Sequence, residues 1–471
     1  MRTITIACVL AIGTSQAQQG WTLDQCLRKA EERNLLFRND QLNTELARQA
    51  HSQSRWALLP DLNAGATHGY NWGKAIDRFT NTFATDRVRT NNLWLGSNWT
   101  LFQGMRLQNQ RIKAGLDSDA AMKGLDASRN AIKKDVVNQF LNVLSLEEQI
   151  RAAEAQAEAT RGQVDISKAL VDAGRIARAE MLDLDAQLAQ QELSVVDLQN
   201  QRDMALLDLG QTLNLSLDEQ RTFSVQAPAI ASLAVTEPTR GVGDILPAVL
   251  AADPAYARAG LNVKSAEKAE SIARSGSIPS LSLNASVGSG FSGRNVEVVG
   301  EPIFGAPIPI GVTESGESVY TENVSYDTRT RPFGSQLDDN LNESLSFTLS
   351  VPLFNNMQNK FAMDQARIQR EQAELQQEGE VQRAQREVQD ALARQRAAYR
   401  QHQAATRALD AVEESLRYAT ERFSNGVITA AELNIAKSNQ ARATADVITA
   451  RYAWVMAAKA LDILQGLPVT L

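Results

Sequence analysis

The chain has 471 residues, with 48 Lys and Arg against 55 Asp and Glu, giving a formal net charge of −7. That acidic balance, with no basic run and no basic patch interleaved with aromatics, excludes nucleic acid as the natural partner. Two cysteines and three histidines (His51, His68 and His402, none at metal spacing) supply no metal cluster and no catalytic constellation, so neither an enzyme nor a cofactor is expected.

Residues 1–17 read as a secretory signal: Arg2, an apolar stretch from Ile4 to Ile12, then small residues at Ser15 and Ala17. Its removal would leave Cys26 as the sole cysteine, which excludes an intrachain disulfide. No other stretch reaches 18 apolar residues, so a helical span is excluded while a β-barrel stays open.

The mature chain divides into a first repeat (18–213), a linker (214–243), a second repeat (244–466) and a tail (467–471). In the first repeat a helical segment over 22–58 precedes two period-2 strands, about 62–71 and 93–101. Leu62, Ala64, Ala66 and Tyr70 share one face of the first strand; Leu93, Leu95, Trp99 and Leu101 share one face of the second. A helical hairpin over about 104–213 follows, bent at Gly174 and free of proline through its first arm. The linker is Pro/Gly-punctuated and reads as irregular.

The second repeat says the same again. After a helical segment over 244–275 come strands at about 281–291 and 343–353, the last with Leu345, Phe347, Leu349 and Val351 opposite Ser344, Ser346, Thr348 and Ser350. A helical hairpin over about 357–465 bends at Gly426. Leu101-Phe102 matches Leu353-Phe354 and Gly174 matches Gly426 at an offset of 252, whereas Asn34 and Asp253, or Pro60 and Pro279, match at 219. The difference of 33 residues is an insertion between about 285 and 340, and the connections 72–92 and 292–342 read as polar, Gly-rich loops. "GSGFSG" at 288–293 fits GxGxxG formally, but it leaves a strand for a loop and has no helix N-terminus to cradle a phosphate.

Strands of 9–11 residues with one oily and one small polar face suit a tilted membrane strand beside a wet lumen. Tyr70, Trp72, Trp94 and Trp99 are placed for an interfacial aromatic belt. The same alternation suits a soluble sandwich, although four strands separated by long helices leave no second sheet to pack against. Four strands are too few to close a barrel, so subunits would have to share one.

In the helices the seam Leu433, Ala436, Gln440, Ala443, Val447, Ala450, Trp454, Ala457, Leu461 and Leu464 keeps a 3-4 spacing. It recurs 252 residues earlier from Met181 to Leu209, and Ala384, Ala391, Ala398, Ala405, Val412 and Ala419 repeat every seven. Such narrow small-residue seams impose left-handed supercoiling and suit a hollow ring. A soluble coiled-coil or a non-transporting cell-envelope scaffold is the competing reading.

The duplicated strand–strand–helix–helix unit, the signal, the repeat starts Ala30 to Leu35 (ending N-L) and Ala248 to Pro254 (ending D-P), "LLPDL/SIPSL" and the "F-x-N-G" bend together resemble the TolC-type outer-membrane efflux proteins. The resemblance implies an α+β membrane protein: a homotrimer with a 12-stranded β-barrel, four strands per chain, continuous with a 12-helix coiled-coil periplasmic α-barrel. It implies a passive exit channel in the outer membrane of a Gram-negative bacterium, serving tripartite efflux or type I secretion. Its partners would be a periplasmic adaptor (membrane fusion) protein, an inner-membrane transporter and outer-membrane lipid. Implied adaptor contacts are Gly174, Arg175, Asn425, Gly426 and Val427. The implied gate is Glu180 and Glu432 with Arg178, Ile428 and Ile435, the two isoleucines standing where a gate arginine and a second ring acid can occur. Arg175 and Arg178 are candidates to pair with Asp183 or Glu432. Leu93, Leu95, Trp99, Leu345, Phe347, Leu349 and Val351 are the implied lipid-facing residues.

Overall fold

A computed structural model describes residues 20–85, 87–227 and 235–469; the signal read over 1–17 lies outside them. In chain order the elements are α1 (Leu23–Arg33), α2 (Leu35–Trp56), β1 (Asn63–Asn71), β2 (Ala75–Ile76), β3 (Phe83–Ala84), β4 (Val88–Gln103), α3 (Arg106–Asp172), α4 (Arg178–Thr212), α5 (Leu217–Arg221), α6 (Val242–Ala252), α7 (Pro254–Ser275), β5 (Ser280–Ser292), β6 (Val296–Val312), β7 (Ser318–Thr330), α8 (Phe333–Asp339), β8 (Asn342–Ser350), α9 (Gln358–Ser424) and α10 (Ala430–Leu464).

The internal duplication holds to the residue in the helices. α3 and α9 have 67 residues each, α4 and α10 have 35, α2 and α7 have 22, and α1 and α6 have 11. The steps α3 to α9 and α4 to α10 are both 252 (358 − 106 and 430 − 178), and α2 to α7 is 219 (254 − 35). All the slippage therefore falls between β5 and β8.

The chain forms two compact units, a helical one (up to Arg48, Leu116–Lys264, Glu371 onward) and a sheet one (Gln49–Gly115, Ser265–Arg370). In the helical unit the core gathers Cys26, Phe37, Val136, Phe140, Leu141, Leu209 and Val455, all at most 1 % exposed. Every seam position from Leu433 to Leu464 is buried or half-buried, and so is every residue of the alanine repeat from Ala384 to Ala419. Their small side chains let neighbouring helices approach closely along a narrow stripe.

Breaks between short and long helices are spliced by side chains. Asn34 accepts from the Leu36 and Phe37 amides, capping α2, while its Nδ2 donates to the Thr212 carbonyl at 3.0 Å. Asn214, in the left-handed region at φ 51°, returns a bond to the Arg33 carbonyl. α2 thus begins where α4 ends, and both orphan sets of terminal backbone groups are met. Asp253, the duplicate of Asn34, caps α7 through the Ala255 amide and pairs with Arg383 at 2.6 Å. The linker expected to be irregular over 214–243 contains α5, capped by Ser216 and Glu219, and its Val225 bridges to Trp21.

In the sheet unit β1, β4, β5 and β8 form one antiparallel sheet in the order β1-β4-β5-β8. Partners across a ladder share a face. Ala64↔Leu95, Ala66↔Leu93, Leu95↔Val287, Trp99↔Leu283, Leu283↔Phe347 and Ala285↔Leu345 therefore build one oily side. The opposite side carries Asn63, Thr67, Asn98, Asn284, Ser286, Ser344, Ser346 and Thr348, with Ser286 and Ser344 hydrogen-bonded to each other.

Four readings are corrected here. β4 begins at Val88, five residues before the expected start, because Val88–Asn92 pair with Thr67–Asn71. A bulge between Thr100 and Phe102 places Phe102, not Leu101, opposite Leu281. Trp94 does not sit on the oily side: it pairs with Gly65 and Gly288 on the polar side, where a Cβ at Gly65 would meet its indole. The connection 292–342 is no open loop, since β6 and β7 pair as a long ribbon and α8 follows.

Candidate functional site

The two helix reversals share one geometry. Gly174 has φ 70° and Gly426 has φ 72°, the left-handed conformation that only glycine adopts freely. Around each, two amides close onto the preceding helix: Gly174 to Val171 at 2.9 Å and Arg175 to Leu170 at 2.8 Å, then Gly426 to Phe423 at 2.9 Å and Val427 to Arg422 at 2.8 Å. These are paired Schellman bonds, which end α3 and α9 with their last carbonyls satisfied. A Cβ on either glycine would meet nothing within 4 Å, so both turns present bare backbone to the outside.

Beyond the turns the repeats diverge. Thr429 caps α10: its hydroxyl accepts from the Glu432 amide at 3.3 Å, and the Glu432 carboxylate accepts from the Thr429 amide at 2.9 Å. This capping box occupies the carboxylate proposed for a ring. Those bonds to Thr429, together with Arg422, hold it below the ordinary glutamate range. The equivalent cap position of α4 is Ala177, which has no side-chain bond, so Glu180 has no such duty. The cation nearest in effect to Glu432 is thus Arg422 of α9, not Arg175 or Arg178.

Gly174, Arg175, Arg178, Glu180 and Asn425 are exposed, as are Val427 and Ile435, whereas Ile428 is half-buried. Leu184, Leu188 and Leu433 lie buried just inside the turns and fasten α4 and α10. Sequence reasoning passed over Lys437, a half-buried lysine beside the seam whose pKa burial lowers. It also passed over Thr429, although T-x-x-E at 429–432 is a legible cap signature.

The second element is the open sheet. Among the described residues β1 and β8 each pair on one side only, leaving two free edges. Leu345, Phe347 and Leu349 are 66, 64 and 66 % exposed, and Leu93, Leu95, Trp99 and Val351 are exposed as well. No helix is long and apolar enough to cross a membrane, and no group of three metal-ligating side chains occurs among the described residues.

The family described as outer membrane efflux protein matches residues 26–215 and 245–467, which takes in both repeats. The chain belongs to the outer membrane efflux protein family. Solved structures of similar fold include the Campylobacter jejuni CmeC outer membrane channel, with TM-score 0.74 and 14 % identity over 94 % of this chain and 85 % of that one. The outer membrane protein VceC of Vibrio cholerae gives TM-score 0.73 and 15 % identity over 94 and 96 %. The Neisseria gonorrhoeae MtrE outer membrane channel in its open state gives TM-score 0.71 and 20 % identity over 94 and 89 %. No curated protein matches the sequence. For this efflux family protein, the likeness across nearly whole chains establishes the mixed α+β fold.

Proposed function

We propose that this chain is one third of a passive exit duct in the outer membrane, serving tripartite efflux or type I secretion. The observation that carries the proposal is the four-stranded sheet, which has an exposed oily face, a polar face and two unpaired edges. A lone sheet of this kind cannot stay in water or lipid, because free edges pair with other chains and bare backbone is not tolerated in hydrocarbon. Three copies of four strands give a closed 12-stranded barrel, above the minimum of about 8. Lipid then takes Leu93, Leu95, Trp99, Leu345, Phe347, Leu349 and Val351, and water takes the Ser/Asn/Gly side.

The helices of three chains would make a 12-helix periplasmic barrel, with the Gly174 and Gly426 turns at its far end. There Arg175, Asn425 and Val427 would meet a periplasmic adaptor, which links the duct to an inner-membrane transporter. Glu180, Ile428 and Ile435 would line a constriction that opens on docking. In this reading Ile428 and Ile435 supply the apolar part of the constriction, and Glu432, whose cap favours the charged carboxylate, adds negative charge beside Glu180.

The mature protein in detergent should run as a trimer that collapses to a monomer on boiling, and should conduct ions across a planar bilayer. A compact monomer that stays soluble without detergent would overturn the proposal.

A further inference from the structure

The polar side of the sheet is not empty at its loop end. β1 and β5 end there, at Asn71 and Ser292, and β4 begins there, at Val88. The segment 72–85 after β1 folds back over the polar side. Its Phe79 ring lies where a Cβ of Gly290 would stand, and Gly290 faces Asn92 across the ladder. Its Asp77 carboxylate accepts a bond from the hydroxyl of Ser292, which faces Thr90. Thr67, Asn71, Thr90 and Asn92 from the polar side and Asp77 and Phe79 from the segment line one recess of about 250 Å³.

The segment is built to hold that position. Asp77 is 5 % exposed, and its Oδ1 accepts from the Phe79 amide at 3.0 Å, the Thr80 amide at 2.9 Å and the Thr80 hydroxyl at 3.1 Å. Its own amide donates to the Thr82 carbonyl at 2.9 Å, Ile76 pairs with Phe83, and Asn81 takes φ 53° to close the turn. The strand it grips is braced from the other flank. Gln336 of α8, fully buried, uses its side-chain amide like a strand's peptide, accepting from the Ser292 amide at 2.9 Å and donating to the Ser292 carbonyl at 3.1 Å. Asn340 adds a bond to the Gly290 carbonyl at 2.8 Å. Three segments far apart in the sequence, through Asp77, Ser292 and the α8 residues Gln336 and Asn340, thus form one network, the kind that specifies a single arrangement.

We propose that segment 72–85, pinned by Asp77 to Ser292 and by Phe79 to Gly290, is an inward-folded collar that narrows the external mouth of the duct. This rests on the channel reading above, under which the polar side of the sheet is the lumen. Three chains would place three collars in one mouth, a second constriction in series with the periplasmic one.

The test is polymer exclusion in planar bilayers, with neutral poly(ethylene glycol) of graded size added to one side at a time. A polymer that enters the pore lowers its conductance. Wild-type protein should exclude at the loop side polymers that are admitted once residues 74–85 are replaced by a short Gly-Ser turn, with the cut-off on the helix side unchanged. Phe79→Ala should shift the loop-side cut-off in the same direction and guards against misfolding of the larger change. The double substitution Asp77→Cys with Ser292→Cys should form a disulfide and keep the wild-type cut-off. Wild-type pores whose loop-side cut-off is the same in all variants, or a cysteine pair that does not oxidise, would overturn the collar alone. A wild-type protein that forms no pore would overturn the duct, and the collar with it.

Discussion

Replacing Gly174 and Gly426 with valine probes the reversals directly. Both residues hold φ near 70°, and a left-handed backbone costs a β-bearing residue about 1–2 kcal/mol. No atom lies within 4 Å of the added Cβ, so no clash term adds to this, and no buried contact of α3, α4, α9 or α10 is lost. About 1–2 kcal/mol is a factor of about 5–30 in a local equilibrium. The amides of Gly174, Arg175, Gly426 and Val427, each bonded to the helix before it, should exchange hydrogen faster by that factor, while the trimer yield on unheated gels stays at the wild-type level. Under the proposed role of these turns as adaptor contacts, export through the assembled pump should be lost. Asparagine, which tolerates the left-handed region, separates the two effects: exchange should fall back towards wild type while export stays impaired. Intact export in the valine variants, or collapse of the trimer, would refute the assignment of these turns.

Three further outcomes follow from other parts of the chain. Thr429→Ala removes the α10 cap at a cost of about 1 kcal/mol and should loosen that reversal, as read by a fluorescent probe at position 427. Because the Glu432 pKa is lowered on folding, its cap contribution is complete above the ordinary value of 4.5 and is lost as pH falls through the folded value; the variant, which keeps the backbone amide at position 429 that is the largest cause, should show a smaller acid transition. Leu345→Arg on the oily face, opposite Ala285 in the middle of β5, should cost about 2–4 kcal/mol near mid-membrane and block assembly, whereas Ser346→Arg on the polar face should assemble and alter conductance; equal tolerance of both would sink the sidedness. Cys26, fully buried and with a thiol pushed up to about 12 by that burial, should resist alkylation until the protein is unfolded.

Much of this architecture was legible because it is periodic. Strict alternation from Ser344 to Ser350 assigns Leu345, Phe347 and Leu349 to one side, and the ladder with Ala285, Leu283 and Leu281 puts them there. The glycine bends were legible because only one residue type suits the backbone they need. Where period breaks, reading failed. The bulge at Thr100–Phe102 advances the pattern by one residue, so Leu101 and Phe102 exchange roles. The β6–β7 ribbon was read as a loop because Gly300, Pro302, Gly305, Pro307, Pro309 and Gly311 punctuate it and three bulges scramble its alternation. Trp94 was placed by residue type, whereas its parity on β4 puts it over Gly65 and Gly288. The Asp77–Ser292–Gln336 network joins positions 215 and 44 residues apart and leaves no local trace at all.

The distribution of burial along α3 has a mechanical meaning. Its packed residues crowd between Ile132 and Ile150, thin out at Ala157 and Thr160, and stop before Asp172. That is a cantilever: a stiff beam clamped in its middle whose last 12 residues, about 18 Å of helix, overhang their support. Such a beam can swing at its free end while its clamped middle stays still, and Leu184 and Leu188 of α4 are the buried side chains near the Gly174 end that must follow it.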